Sequence, residues 1–197
     1  MNFKTSLSVA IVLGVAAVSS ANIVTNGSFE AKSYGSGYSI VANDGVTGGW
    51  YAEKDFLEIG AASVYGVTGQ NGKQVLELDA KANAKVSQKL TTTKSSYSVT
   101  FSAALRKGKP SSTQGGDIYW NDVKVGSFLP TSSAMQTYKF TVVGTGTDKI
   151  SFVGTGTSDS FGSLIDNVSV QAVPEPTSMA ALAMGGIALL RRRRKQA

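Results

Sequence analysis

Residues 96–105 read Ser-Tyr-Ser-Val-Thr-Phe-Ser-Ala-Ala-Leu, and their alternation decides the fold class. Side chains of an extended strand point to opposite faces with a period of two. Tyr97, Val99, Phe101, Ala103 and Leu105 therefore share one face, while Ser96, Ser98, Thr100 and Ser102 share the other. One face belongs to a core and the other to solvent. The same reading extends outward along the chain. Segment 74–80 turns Leu76 and Leu78 inward, 137–143 turns Tyr138, Phe140 and Val142 inward, and 149–153 turns Ile150 and Phe152 inward. Segments 84–90 and 163–170 are further strands. Segments 117–120 and 123–128 are joined by Asn121-Asp122, a pair that tolerates the left-handed backbone of a two-residue hairpin. Clusters of Gly, Ser, Thr and Asn separate these runs and helical periodicity is absent, so residues 22–172 are expected to form an all-β, antiparallel β-sandwich. Segments 31–46 and 106–116 read as its long connections, the places where binding surfaces usually lie.

The two ends have a different character. Lys4 opens a short positive region, 7–18 is apolar apart from Ser8, and Ser19-Ser20-Ala21 places small residues where a signal peptidase reads. Residues 1–21 are thus expected to be a signal peptide, cut after Ala21. The alternative, a retained N-terminal anchor, needs about 20 apolar residues, and this run is shorter. At the other end, 177–190 is a run of 14 uncharged residues followed by five basic ones. As a helix it reaches only about 21 Å, too short for a comfortable span. It is expected to sit in the inner membrane transiently, with the arginines held in the cytoplasm.

The net charge of +6 suggests a nucleic-acid partner until it is mapped. Lys4 and the terminal basic block carry the excess, and residues 22–173 hold 13 basic against 12 acidic side chains. A nearly neutral domain lacks the basic stripe that grips phosphates, so nucleic acid is not expected as a partner. The chain has no cysteine and no histidine, which removes disulfides, thiolate nucleophiles, imidazole bases and the usual zinc ligands together.

The order Val173-Pro174-Glu175-Pro176, Gly-containing apolar run, arginine cluster from Arg191-Arg192 resembles the PEP-CTERM sorting signal of Gram-negative bacteria. The resemblance covers residues 173–197. It implies recognition by an exosortase, removal of the tail near Pro-Glu-Pro, and delivery to the outer surface or extracellular matrix, where such proteins accompany exopolysaccharide. A basic-tailed anchor that is simply retained is the other reading.

A second resemblance rests on Asn26-Gly27-Ser28-Phe29-Glu30, Gly49-Trp50, Leu76-Glu77-Leu78-Asp79 and Leu164-Ile165-Asp166-Asn167-Val168-Ser169-Val170, in that order. Together they resemble the galactose-binding-like jelly roll, the frame of carbohydrate-binding modules and of DUF642-type ectodomains. The resemblance implies a structural calcium held by Glu30 and Asp166, on neighbouring first and last strands, with backbone carbonyls and waters completing a shell of six to eight oxygens. Asp166 hydrogen-bonding backbone amides in a tight corner is the plainer reading. It also implies a Glu, Asp and Arg cluster at Glu58, Asp79 and Arg106, either a polyol site or a structural ion pair.

Aromatic rings stack on pyranose faces, which makes Trp50, Tyr51, Tyr65, Tyr119 and Trp120 candidates, each set against an ordinary place in the core. Pairs such as Glu53 with Asp55, or Glu77 with Asp79, share a strand face at a spacing that a glycosidase can use. A small sandwich without a deep cleft is nevertheless expected to be non-catalytic. The expected function is a carbohydrate-binding surface module whose partners are signal peptidase, exosortase and extracellular polysaccharide. A purely structural or adhesive surface protein without a defined ligand is one alternative, and a small glycan hydrolase is the other.

Overall fold

The computed structural model describes residues 20–41 and 48–174. The expected signal peptide up to residue 19, and Glu175, Pro176, Arg191, Arg192 and the helix expected at 177–190, lie outside the described residues.

Among the described residues eleven strands follow one another: β1 Tyr38–Val41, β2 Tyr51–Lys54, β3 Leu57–Ala61, β4 Gln74–Glu77, β5 Lys85–Thr91, β6 Ser96–Ala104, β7 Gly115–Trp120, β8 Val123–Phe128, β9 Gln136–Val143, β10 Thr147–Thr155 and β11 Leu164–Ala172. One helical turn, α1, covers Ala62–Tyr65. The strands form a six-stranded sheet, β1-β3-β4-β11-β6-β9, and a five-stranded sheet, β2-β5-β10-β7-β8. All pairings between these strands are antiparallel. The chain passes repeatedly from one sheet to the other, and the result is the expected jelly-roll sandwich.

The inner faces follow the alternation of the sequence. Tyr97, Val99, Phe101 and Ala103 of β6 are buried, as are Val86 of β5, Ile118 of β7, and Ile150 and Phe152 of β10. Phe101 meets Phe152 with ring centroids 4.9 Å apart and Phe128 at 5.0 Å, both edge to face, the arrangement that aromatic quadrupoles favour. The turn between β7 and β8 places Asn121 at φ 52° and Asp122 at φ 63°, the two left-handed residues of a type I′ hairpin. The N-terminal segment runs beside β11: Ile23 N donates to Val170 O at 3.0 Å and Val168 N to Gly27 O at 2.8 Å. Gly27 is required there, since a Cβ would lie 2.0 Å from Val168 O.

Two expectations need correction. Segment 31–46, read as a connection, contains β1, an edge strand bonded to β3. Its Gly-Ser-Gly composition hides the short Tyr-Ser-Ile-Val run. Strand β4 is buried on both faces rather than one: Gln74, Val75, Leu76 and Glu77 are all buried. Its outer face is covered by a second, smaller cluster that includes Tyr65, Val67, Val75, Ala104 and Leu164. The chain thereby seals a glutamate, Glu77, beneath apolar side chains.

Candidate functional site

The outer face of the five-stranded sheet is built by register. Tyr51 of β2 stands opposite Ser87 of β5, Ser87 opposite Ser151 of β10, and Ser151 opposite Tyr119 of β7. Cross-strand partners point to the same side, so these four residues form one row across four strands. Ser87 Oγ donates to Ser151 Oγ at 2.8 Å, and a half-buried tyrosine closes each end of the row.

Over the serines lies a network of four charges. Glu53 accepts from Lys85 and Lys149, both at 2.6 Å, and Asp122 Oδ1 accepts from the same two lysines at 2.7 and 3.0 Å. Burial alone would raise Glu53, but hydrogen bonds from Lys149, Lys85 and Ser87 hold it below the usual carboxylate range. Hydrogen bonds from Lys85 and Lys149 lower Asp122 in the same way. Burial, then the Glu53 charge, raises the Tyr51 hydroxyl. The row therefore offers two aromatic faces with fixed donors and acceptors between them. Beside Tyr51 a cavity of about 500 Å³ is lined by Thr25, Gly49, Tyr51, Gln88 and Lys89.

Glu58 and Arg106 converge on a fourth residue, Glu77, while Asp79 is tied to them through the 158–162 loop. Glu58 and Glu77 are cross-strand partners in β3 and β4, and their carboxyls hydrogen-bond each other. Arg106 Nη1 donates to both Glu77 oxygens at 2.9 Å, and Tyr65 Oη donates to Glu58 at 3.1 Å. The guanidinium is held between the rings of Tyr65 and Phe161, at 5.1 and 4.7 Å from their centroids. Burial, then Glu58, pushes Glu77 up to about 9 against the pull of Arg106. Among the described residues Asp79 has no cationic partner; its Oδ2 accepts from the amides of Asp159 and Ser160 at 2.9 and 3.0 Å. Gly162 N donates to Glu77 at 2.9 Å, and a Cβ on Gly162 would lie 2.6 Å from Asp79 N. Glu58, Glu77 and Asp79 are each at most 3 % exposed, so the cluster anchors the 158–162 loop and presents no carboxylate to solvent.

Glu30 and Asp166 face the same corner. Glu30 Oε1 accepts from the amides of Lys73 and Gln74 at 2.6 Å each. Asp166 accepts from the amides of Asn71 and Asn167. Burial, against those amides and with the Glu30 charge adding to it, pushes Asp166 up to about 7. Two carboxylates that repel across one corner, Asp166 buried and Glu30 exposed, fit a hard cation. Among the described residues no group of three or more acidic side chains is placed to hold a metal, so carbonyls and waters would complete the shell.

Trp50 is 1 % exposed, meets Phe29 at 5.5 Å and donates from Nε1 to Asn26 O at 3.0 Å. Packed in this way it has no free face for a sugar, which corrects its place among the candidates. Trp120 and Tyr65 are likewise buried. Ala21 and Pro174 are exposed at the two ends of the described domain. Lys85, Lys149 and Asp122 escaped the sequence reading, although the outward parity of Lys85, Ser87 and Lys89 is visible in β5.

A protein-family profile described as "PEP-CTERM protein-sorting motif" matches residues 172–195. Over 155 residues the chain is 31 % identical to a multifunctional-autoprocessing repeats-in-toxin protein of Vibrio cholerae serotype O1, covering 77 % of this chain and 3 % of the toxin. A toxin of the same description from Vibrio vulnificus is 33 % identical over 152 residues, 75 % of this chain and 3 % of its own length. The chain thus spans about 3 % of the length of the curated relatives it matches. Among solved structures it is similar to the CBM36-1 domain of a multidomain xylanase from the hindgut metagenome of Trinervitermes trinervoides, with TM-score 0.47, 16 % identity, and coverage of 70 % of this chain and 99 % of that one. It is also similar to TmCBM61 in complex with β-1,4-galactotriose, with TM-score 0.46, 19 % identity, and coverage of 78 % and 100 %. A third is CBM35 from Paenibacillus barcinonensis, with TM-score 0.41, 21 % identity, and coverage of 70 % and 94 %. The chain carries a PEP-CTERM protein-sorting motif, which implies export and sorting to the cell surface.

Proposed function

We propose that this is a non-catalytic carbohydrate-binding protein of a Gram-negative outer surface or extracellular matrix, released by signal peptidase, processed by an exosortase, and associated with exopolysaccharide. The observation that carries the reading is the outer row of the five-stranded sheet, where Tyr51 and Tyr119 flank hydrogen-bonding groups of both kinds. Sugars need that combination, an aromatic face for the C–H side of the ring and fixed polar groups for the hydroxyls. The carboxylates support binding over hydrolysis. A glycosidase pairs a protonated acid with an ionised partner across a cleft. On this face Glu53 and Asp122 are both bonded to lysines and both lowered, while the Glu58 and Glu77 pair is sealed from substrate.

Affinity electrophoresis in gels containing exopolysaccharide of the native host tests the reading. The protein should be retarded, and Tyr119→Ala should weaken binding about tenfold, equivalent to about 1.4 kcal/mol. Retardation unchanged in both Tyr51→Ala and Tyr119→Ala moves binding away from this face. No retardation at all favours a purely structural surface protein.

A structural calcium at Glu30 and Asp166 is a second part of the proposal. Its motive is the crowding of two carboxylates at a corner where one of them is fully buried. A bound cation would join the N-terminal segment to β11, the last strand of the chain, and cancel the repulsion of the two carboxylates.

A further inference from the structure

The outer face of the five-stranded sheet has a second cavity, at the opposite edge from Tyr51. Its volume is about 450 Å³, and Asp117, Lys124, Ser127, Leu129 and Thr155 are among the residues that line it. Both cavities fall within the range of small-ligand sites, roughly 300–1,000 Å³. The first is bounded by β2 and β5, the second by β10, β7 and β8. Strand order places β2 and β8 four steps apart, a span of about 19 Å at the usual inter-strand spacing. No disaccharide reaches across that distance. Between the cavities runs the row Tyr51, Ser87, Ser151 and Tyr119, and Lys124 of β8 continues it as the cross-strand partner of Tyr119.

Most charges of this face cancel in place; among the described residues Lys89, at the Tyr51 cavity, is exposed and has no ion pair. Lys85 and Lys149 are bonded to Glu53 and Asp122, and Lys124 is bonded to Asp117 at 2.8 Å. A polyanion would have to break these pairs to reach Lys85, Lys149 or Lys124. An uncharged polyhydroxylated chain can accept from the ammonium groups and donate to the carboxylates without disturbing them. The far cavity adds an apolar wall, since Leu129 is 56 % exposed there.

We propose, resting on the carbohydrate-binding reading above, that the ligand is an internal run of an extended, uncharged polysaccharide lying across the strands, with one end in the Tyr51 cavity and the other in the Leu129 cavity. Each cavity alone binds weakly. Once one end is seated, the second contact forms at high effective concentration, so affinity grows with chain length until both cavities are filled.

Calorimetric titration of the protein with neutral β-1,4-linked galacto-, xylo- and manno-oligosaccharides of two to eight units tests this. In the preferred series the dissociation constant should fall at least tenfold between two and six units and then level off. Tyr51→Ala at one end and Leu129→Asp at the other should each remove most of that gain. Affinity that is independent of length but lost in Tyr51→Ala overturns the inference and leaves the carbohydrate-binding reading standing on a single subsite. Length-dependent binding unaltered by either substitution, or by Tyr119→Ala, overturns the inference and moves binding away from this face, whereas no binding of any oligosaccharide or polysaccharide overturns both. Retention of native exopolysaccharide together with no binding of any neutral oligosaccharide also overturns the inference, because charged substituents would then be what is recognised.

Discussion

Replacing Arg106 by methionine tests the buried cluster, because Met keeps much of the side-chain bulk and removes the charge. Glu77 is 0 % exposed and both its oxygens are bonded to Arg106 Nη1. Glu58 and Glu77, hydrogen-bonded to each other with Glu77 raised to about 9, hold one proton between them at neutral pH and carry one negative charge. Removal of the guanidinium leaves that charge buried without a partner, a change that costs about 3–5 kcal/mol. A domain of this size loses about 2–4 °C per kcal/mol, so the melting temperature should fall by about 6 to 20 °C at pH 7.5. At pH 3, below the ordinary carboxylate range, protonation removes that charge and leaves only lost hydrogen bonds, about 1–3 kcal/mol. The penalty should therefore be markedly smaller in acid. Circular-dichroism melts of wild type and Arg106→Met at the two pH values measure it, and Arg106→Lys should recover part of the loss. An equal fall at both pH values, or less than about 3 °C at pH 7.5, would refute the buried-charge argument.

The calcium site makes a pH prediction with a definite sign. Asp166 is raised to about 7 in the folded state against about 3.9 unfolded, so its contribution is full below pH 4 and is lost as pH rises through 7. The metal-free protein should lose stability as pH rises from 4 to about 7, and Asp166→Asn should remove the part of that loss that Asp166 contributes across this interval. Calcium at a hundredfold excess over its Kd should restore about 2.7 kcal/mol at pH 7.5, magnesium less, and a melt indifferent to calcium or to Asp166→Asn rejects the site. Trp50→Ala should cost about 3–5 kcal/mol in denaturant titrations, while Tyr119→Ala should cost less than about 1 kcal/mol and weaken polysaccharide binding instead. Intact-mass measurement of protein from the native host should find a chain that begins near Asn22 and ends near Pro174; a full-length mass counts against processing at either end.

Periodicity carried much of the architecture. Six of the strands stand where alternation places them, and the Asn121-Asp122 hairpin follows from two residues whose side chains tolerate left-handed backbone. These features are local, since a strand's two faces are written in successive residues. The sorting motif is legible for a related reason: it is read along an extended chain, in order, without a fold.

The candidate sites depend on neighbours distant in sequence. Lys85, Asp122 and Lys149 converge on Glu53 only because β2, β5 and β10 are adjacent and in one register, and no spacing along the chain encodes that. Glu77 looks like an ordinary outward acid of a half-exposed strand. It is sealed because α1 and the residues after it fold over the second face of β4, which placed Arg106 between two rings and onto its carboxylate. Trp50 offers the reverse case, since an aromatic ring serves a core or a sugar equally well in sequence, and only the presence of Phe29 and Phe152 around it chose the core. Alternation along a strand specifies which way a side chain points, and the packing of separate segments settles what it meets there.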